Sequence, residues 1–194
     1  MKKKEEYVIG IDEAGRGPLA GPVAVGAVAV KFNLKYKISN LKILKGIKDS
    51  KKLSAEQRER WFKILKKNFE CHCVFINHKT IDKINIHKAT LLGVEKVLKK
   101  FSKKPGMVLL DGSLYAPKKY KQKTIIKGDE KIPVISSASI IAKVLRDKKM
   151  FQANKKFPHY CFDKHKGYGT KLHYKKLKKH GLCKIHRKSF LKIV

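Results

Sequence analysis

Apolar residues fall into short runs separated by longer stretches at helical spacing. Val8, Ile9 and Ile11 form the first short run and Val23 to Val30 the second, and both predict buried strands. Ser54, with Gln57 at the capping-box position, starts a helix whose Trp61, Ile64, Leu65 and Phe69 share an apolar face. Cys71 to Asn77 alternates as a strand does, with Cys71, Cys73 and Phe75 on one side. Asn85 to Lys100 predicts an amphipathic helix with Leu91, Val94, Val97 and Leu98 inward, ended by Pro105 and Gly106. MVLLDG, 107–112, predicts a strand ending in Asp111, and KTIIKGD, 123–129, a strand ending through a Gly turn in Asp129. A long helix starts near Pro133. The stretch 157–170 reads as a loop rich in His, Tyr and Gly, and Lys171 to His180 as a short basic helix closed by Gly181. The Lys-rich link 31–48 shows little periodicity.

Strands alternating with helices predict an α/β fold, in which sites form at the carboxyl ends of strands. Three predicted strands end in carboxylates: Asp12 with Glu13, Asp111, and Asp129. The adjacent pair is open to two readings. Asp12 caps a helix and Glu13 is solvated, or both meet a cation, since carboxylates at the end of a buried strand are costly without one. If the three strands are parallel neighbours, four carboxylates converge. Hard oxygen ligands suit Mg²⁺ or Mn²⁺, and two such ions ~3.5–4 Å apart suit in-line phosphoryl displacement.

Charge changes the picture next. Lys and Arg number 48 against 15 Asp and Glu in 194 residues, a formal net charge of +33. Such a surface suits a polyanion, nucleic acid first. Only five of the 48 cations are Arg. A composition simply rich in lysine is therefore the competing source of the excess, and lysine suits phosphate contacts better than base readout. No lysine stands between Tyr7 and Val30. An acidic site inside a basic surface suits phosphodiester hydrolysis, with lysines on the backbone and carboxylates on metal.

Cys71, Cys73, Cys161 and Cys183 form no CxxC pair, which excludes a zinc framework and predicts free thiols in a reducing cytosol. No apolar run reaches the ~20 residues of a membrane span, and the start, MKKKEEYV, lacks the core of a signal peptide. The expected location is cytoplasmic. Gly15-x-Gly17-x-x-Ala20 after a strand matches the dinucleotide fingerprint. Pro18 and the apolar run after Ala20 predict a loop and a strand there instead of a phosphate-binding helix, and no acid follows ~20 residues on. A non-catalytic basic coat for RNA or DNA explains the charge but not the strand-end acids.

IDEAGRGPLAGPVAV at 11–25 resembles the opening motif of the type 2 ribonucleases H, most closely the bacterial ribonuclease HII family. The resemblance continues through DSKKLS at 49, MVLLDG at 107, KGDEKIPVISSASIIAKVLRD at 127, HKGYGT at 165 and HRKSF at 186, in the family's order. It implies a ribonuclease H-like fold, a central mixed β-sheet flanked by helices. The chain is then one catalytic domain over 1–194, with about 157–194 a loop and helical C-terminal appendage. It implies a Mg²⁺- or Mn²⁺-dependent endonuclease, with two ions in the substrate complex. The implied substrates are RNA–DNA hybrids and duplex DNA holding single ribonucleotides. Cutting falls 5′ of the ribonucleotide and leaves 3′-hydroxyl and 5′-phosphate ends, as in ribonucleotide excision and RNA primer removal. No obligate protein partner and no membrane are implied.

The resemblance places the catalytic, metal-binding acids on Asp12, Glu13, Asp111 and Asp129. It places recognition of the ribose 2′-hydroxyl on Gly15, Arg16 and Gly17, and the sensing tyrosine on Tyr168, whose ring stacks on the following deoxyribose. Ser50, Lys51, Ser136, Ser139, Lys143 and His165 lie in family motifs expected near the substrate. Asp147 is assigned a structural role. Ser137 stands where the family pattern expects Ala. Asp129 as the fourth acid, with only six residues before Tyr7, favours this family over its sister type, ribonuclease HIII.

Overall fold

In the computed structural model the described residues are 6–32, 43–47 and 50–191. Asp49, most of the 31–48 link and the last three residues of SFLKIV lie outside them. The sheet has five strands in the order β3-β2-β1-β4-β5. β1 (Glu6–Ala14) pairs antiparallel with β2 (Val23–Phe32), and β2 pairs antiparallel with β3 (Glu70–Ile76). On its other side β1 pairs parallel with β4 (Met107–Asp111), and β4 parallel with β5 (Gln122–Ile125). The three strands expected to bring acids together are thus parallel neighbours.

Alternation along β1 sets the two faces of the sheet. Ile9 and Ile11, with Val25, Ala27, Val108 and Leu110, pack with Val94, Val97 and Leu98 of α3 (Ile86–Leu98). Val8, Val28, Val30 and Leu109 face the other way, onto α1 (Ala55–Asn68) and α5 (Pro133–Lys156). α5 lies so close to the sheet that a Cβ on Gly10 would stand 2.3 Å from the Val134 carbonyl oxygen, and one on Gly26 2.4 Å from that of Ala138. That contact requires glycine at both sites and brings the first turns of α5 over the ends of β1 and β4.

The capping box at Ser54 and Gln57 forms as the sequence predicts, with Gln57 N–H donating to Ser54 Oγ and Ser54 N–H to Gln57 Oε1. A helix not anticipated, α2 (His78–Ile84), precedes α3, with Asn77 accepting from Thr80 N–H at its N-terminus. The stretch 157–170 is not all loop: it holds a 3₁₀ turn at Pro158–Tyr160 and a short helix, α6 (Phe162–His165), before α7 (Lys171–His180). The turn after β1 leads into β2 and not into a helix, so no helix N-terminus meets the glycines of the apparent dinucleotide fingerprint. All four cysteines are free. Among the described residues no helix is long and apolar enough to cross a membrane.

Candidate metal centre

Asp12 and Asp111 point to the α5 face of the sheet from adjacent parallel strands. Asp129 reaches the same place by a different route. The sequence predicts it at a strand end, but β5 stops at Ile125 and Asp129 sits on a separate short helix, α4 (Gly128–Lys131). The chain enters α4 through Lys127 at φ 55°. Asp111 Oδ1 then accepts from Gly128 N–H at 2.6 Å and Asp129 N–H at 3.4 Å, so one carboxylate orients the backbone that carries the next. Oxygens of Asp12, Asp111 and Asp129 lie within 4.8 Å of one another.

Glu13 is not one of that set. As the next residue on β1 it alternates away from Asp12, but its carboxyl stays within hydrogen-bonding reach of the Asp12 side chain, and Arg16 Nη1 lies 3.6 Å from its Oε1. It still feels the cluster. Burial raises its pKa, the Arg16 charge opposes this, and Asp111 raises it further. Asp12 is only 3% exposed; burial, then Glu13, lift its carboxyl well above the usual carboxylate range. Asp111 is raised by burial and by Asp129.

These carboxylates are crowded and desolvated together, and one lysine, Lys51, bonds Asp129 Oδ2 at 3.0 Å. Buried acids that repel one another in a space a few ångströms wide are the donor set a hard divalent cation requires. The residues therefore fit Mg²⁺ or Mn²⁺. A stability consequence follows in the metal-free protein. Because the folded carboxyls have raised pKa values, the folded state binds more protons than the unfolded one as pH rises through the carboxylate range. Stability accordingly falls across that window, and the penalty is complete above the folded pKa. Asp12→Asn removes it, and metal-free Asp12→Asn is expected to melt about 2–4 °C above the metal-free parent at neutral pH, the shift that ~1 kcal/mol gives in a chain of this size. Scanning calorimetry in chelator checks this; an equal or lower melting temperature contradicts it.

Several residues expected at the substrate instead shape the acids. Ser50 and Ser139 are buried, with their Oγ atoms 2.8 Å apart. Ser139 bonds the Asp12 carboxylate, so the hydroxyls run Ser50 to Ser139 to Asp12. Ser136, also buried, donates to the Asp129 carbonyl at 2.7 Å and fastens α4 to α5. His165 is buried too, with both ring nitrogens bonded to backbone. The physical reason is shared: their motifs flank the site in sequence, but they fall on the α5 face pressed to the sheet or under the 165–170 turn. Ser137 fits its site by donating to the Pro133 carbonyl at 2.7 Å. Lys143 pairs with Asp147 at 3.0 Å, and its Nζ lies 5.9 Å from the Tyr168 ring centroid.

The glycine turn beside Asp12 has two different glycines. Gly15 has φ +94°, and a Cβ there would stand 1.8 Å from Arg146 Nε, so its need for glycine is internal. Gly17 is exposed, and a Cβ there would meet nothing within 4 Å. Its backbone faces open space beside the acids.

Two buried arginines hold this turn, and sequence reasoning did not single them out. Arg187 donates to the carbonyls of Gly15 at 2.7 Å, Arg16 at 2.8 Å and Gly21 at 2.9 Å. Arg146 donates to Pro22 at 3.0 Å and Lys166 at 3.1 Å. Burial, and then Arg146, lower the Arg187 pKa to about 9, still charged at neutral pH. Arg58 similarly ties the Ser50 and Leu53 carbonyls at 2.8 and 2.6 Å. The signal was composition. In a chain with 48 cations of which five are Arg, a site that keeps Arg is one that needs a planar fork. Four of the five, Arg16, Arg58, Arg146 and Arg187, brace the site.

Tyr168 is brought to the same place. Leu19 N–H donates to the Gly167 carbonyl at 2.8 Å, and a Cβ on Gly167 (φ +87°) would stand 2.5 Å from the Ala20 carbonyl oxygen. The 165–170 turn is thus seated on the 15–21 turn. The Tyr168 ring, 41% exposed, lies over Arg146 at 5.6 Å.

A five-stranded mixed sheet with a three-carboxylate cluster, two acids on its parallel strands β1 and β4 and one on the short helix after β5, defines a fold shared with known nucleases. The chain is similar to ribonuclease H2 from Pyrococcus horikoshii OT3, with TM-score 0.74 and 29% identity, covering 94% of this chain and 93% of that one. It is likewise similar to the ribonuclease HII of Archaeoglobus fulgidus solved in complex with PCNA, with TM-score 0.77 and 25% identity, covering 94% of each chain. The ribonuclease HII family model matches residues 9–193. The ribonuclease HII of Caldicellulosiruptor saccharolyticus is 42% identical over 193 residues, 99% of this chain and 90% of that one. The chain belongs to the ribonuclease HII family, and is a ribonuclease H.

Proposed function

We propose that this protein is an endonuclease that cuts the RNA strand of RNA–DNA hybrids and nicks duplex DNA 5′ of single embedded ribonucleotides. The observation that carries this is the meeting of Asp12, Asp111 and Asp129 within 4.8 Å beside an open backbone turn. Two divalent cations, Mg²⁺ or Mn²⁺, when bound by Asp12, Glu13, Asp111 and Asp129, supply charge stabilisation for in-line attack by water on the scissile phosphate. The products carry 3′-hydroxyl and 5′-phosphate ends.

The chain's own residues do the selecting. Gly15, Arg16 and Gly17 present backbone to the sugar, where the 2′-hydroxyl marks RNA. The two buried arginines keep that backbone rigid, which positions it without reorganisation. Lys51, on Asp129, and Lys143, beside the Tyr168 ring, are cations that suit the flanking phosphates. The Tyr168 ring projects beside the turn and stacks on the sugar that follows the ribonucleotide. Lysines elsewhere hold the duplex. A purely coating role leaves the buried, mutually repelling acids without a reason.

The direct test is cleavage of a duplex holding one ribonucleotide, with products mapped to the nucleotide. Cutting on the 3′ side, or no cutting with either metal, overturns the reading. Within it, Tyr168→Ala is expected to lower kcat/KM on the embedded ribonucleotide roughly ten- to a hundredfold, from ~1–3 kcal/mol of stacking at ~1.4 kcal/mol per decade. A continuous RNA strand has no deoxyribose after the cut and is expected to lose less, and Tyr168→Phe less than Tyr168→Ala. Equal losses on the two substrates show that Tyr168 is not a junction sensor.

A further inference from the structure

Behind the HKGYGT turn lie His165, His173 and His186, which are 8%, 0% and 3% exposed. None is close enough to the carboxylates to share their cluster, and no role above uses His173 or His186. Their ring protons can be assigned from their partners.

Gly167 N–H donates to His165 Nδ1 at 3.1 Å, so that nitrogen is bare and Nε2–H donates to the Tyr160 carbonyl at 2.7 Å. His173 Nδ1 faces the Tyr168 carbonyl at 3.0 Å, a group that only accepts, so Nδ1 carries the proton and Nε2 is bare. His173 Nε2 lies 3.0 Å from His186 Nε2, which must therefore donate. His186 Nδ1 is then bare and accepts from Cys183 N–H at 2.9 Å, the nearer of its two Cys183 contacts, with the Cys183 carbonyl 3.3 Å away. The Tyr168 carbonyl at His173 and the nearer Cys183 N–H at His186 favour one arrangement of the protons. The bonds run in one direction, from Cys183 N–H through His186 and His173 to the Tyr168 carbonyl. His165 stacks on His173 with centroids 4.3 Å apart. Tyr168 N–H donates to the His165 carbonyl at 2.9 Å, so Tyr168 is held on both sides of its Cα. Burial lowers the pKa of all three rings, His173 to about 4, which leaves them neutral at neutral pH.

We propose that His173 and His186 are positioning residues for Tyr168, a neutral two-imidazole relay that fixes its carbonyl and so aims its ring at the sugar beside the 2′-hydroxyl. The relay ties selectivity to the C-terminal segment: Cys183 and His186 lie beyond α7, yet the last bond in their chain ends on the sensing residue. This rests on the reading of Tyr168 given above.

The test compares His173→Phe, His173→Asn, Tyr168→Ala and the double variant His173→Phe/Tyr168→Ala on an embedded ribonucleotide and on a continuous hybrid. Phe keeps the ring volume and removes both nitrogens; Asn keeps a donor near the Nδ1 position. His173→Phe is expected to lose roughly tenfold in kcat/KM on the embedded ribonucleotide, ~1.4 kcal/mol, and under about threefold on the hybrid. His173→Asn recovers most of the loss. The double variant is no worse than Tyr168→Ala alone, because both changes remove one function. Equal losses of His173→Phe on both substrates, or additive losses in the double variant, overturn the relay. Should His173→Phe melt below the assay temperature, His173→Met, which also fills the space and removes both nitrogens, carries the same comparison, with the same criteria. A failure of the Tyr168 reading is separately visible, since Tyr168→Ala alone would then show no difference between substrates.

Discussion

Asp12→Asn at saturating Mg²⁺ is expected to turn over at least ~10³-fold more slowly than the parent while remaining folded. Asp12 stands at the centre of the cluster, with Glu13 and Asp111 both acting on its charge. Asn keeps the shape and the acceptor that receives Glu13 N–H at 2.7 Å. It loses the charge. A ligand that neutralises a divalent ion also fixes where the ion meets the phosphate, and loss of ~4 kcal/mol of transition-state stabilisation is ~10³ in rate. Asp111→Asn and Asp129→Asn are expected to act in the same way. Asp111→Asn has a second effect, because an amide at position 111 no longer receives Gly128 and Asp129 N–H with full charge, which loosens α4. Single-turnover cleavage with circular dichroism on each variant checks this. Near-parental rates in Asp12→Asn would refute the metal-site reading, and combined with a raised metal-free melting temperature would leave these acids as a cost without a function.

Duplex affinity is expected to fall steeply with salt. Each phosphate neutralised contributes ~0.9 to the slope of log K on log salt, so about six contacts lose ~10³ in affinity between roughly 50 and roughly 200 mM salt. The slope is expected to be nearly equal for all-DNA and ribonucleotide-containing duplexes, because lysines read the backbone and not the sugar. Arginine is available for few such contacts: Arg146 and Arg187 are buried. Anisotropy titrations in the Asp12→Asn background, where cleavage does not intrude, measure both slopes. A flat dependence would assign the net charge of +33 to composition.

The strands were legible because each buried one carries an unbroken or alternating apolar run, and Ser54 with Gln57 marks a helix start by local hydrogen bonding alone. α2 was missed because seven residues, HKTIDKI, give too few turns for a helical period to show. Asp129 joins the carboxylate cluster from a different element than the sequence predicts, since a four-residue helix has no sequence period at all. Ser50, Ser136, Ser139 and His165 were read as substrate contacts because motif membership says that a residue is near the site, not which way it points. Their hydroxyls and ring nitrogens are used internally.

By itself the sequence determined which strands exist, that Asp12 and Asp111 lie on two of them, and the family to which their motifs belong. These properties are local: a run of apolar side chains and its terminal acid lie within ten residues of one another. What only the tertiary structure decided is how separated segments support each other. Gly15 is glycine because Arg146, more than a hundred residues later, occupies the space a Cβ would need. Asp12 is held by Ser139 and, through it, Ser50, and the Tyr168 carbonyl by His173 and, through it, His186. Direction and burial of a side chain depend on what the rest of the chain packs against it, and burial turns four carboxylates, two guanidiniums and three imidazoles from ordinary surface groups into parts with fixed protons, fixed charges and one orientation each.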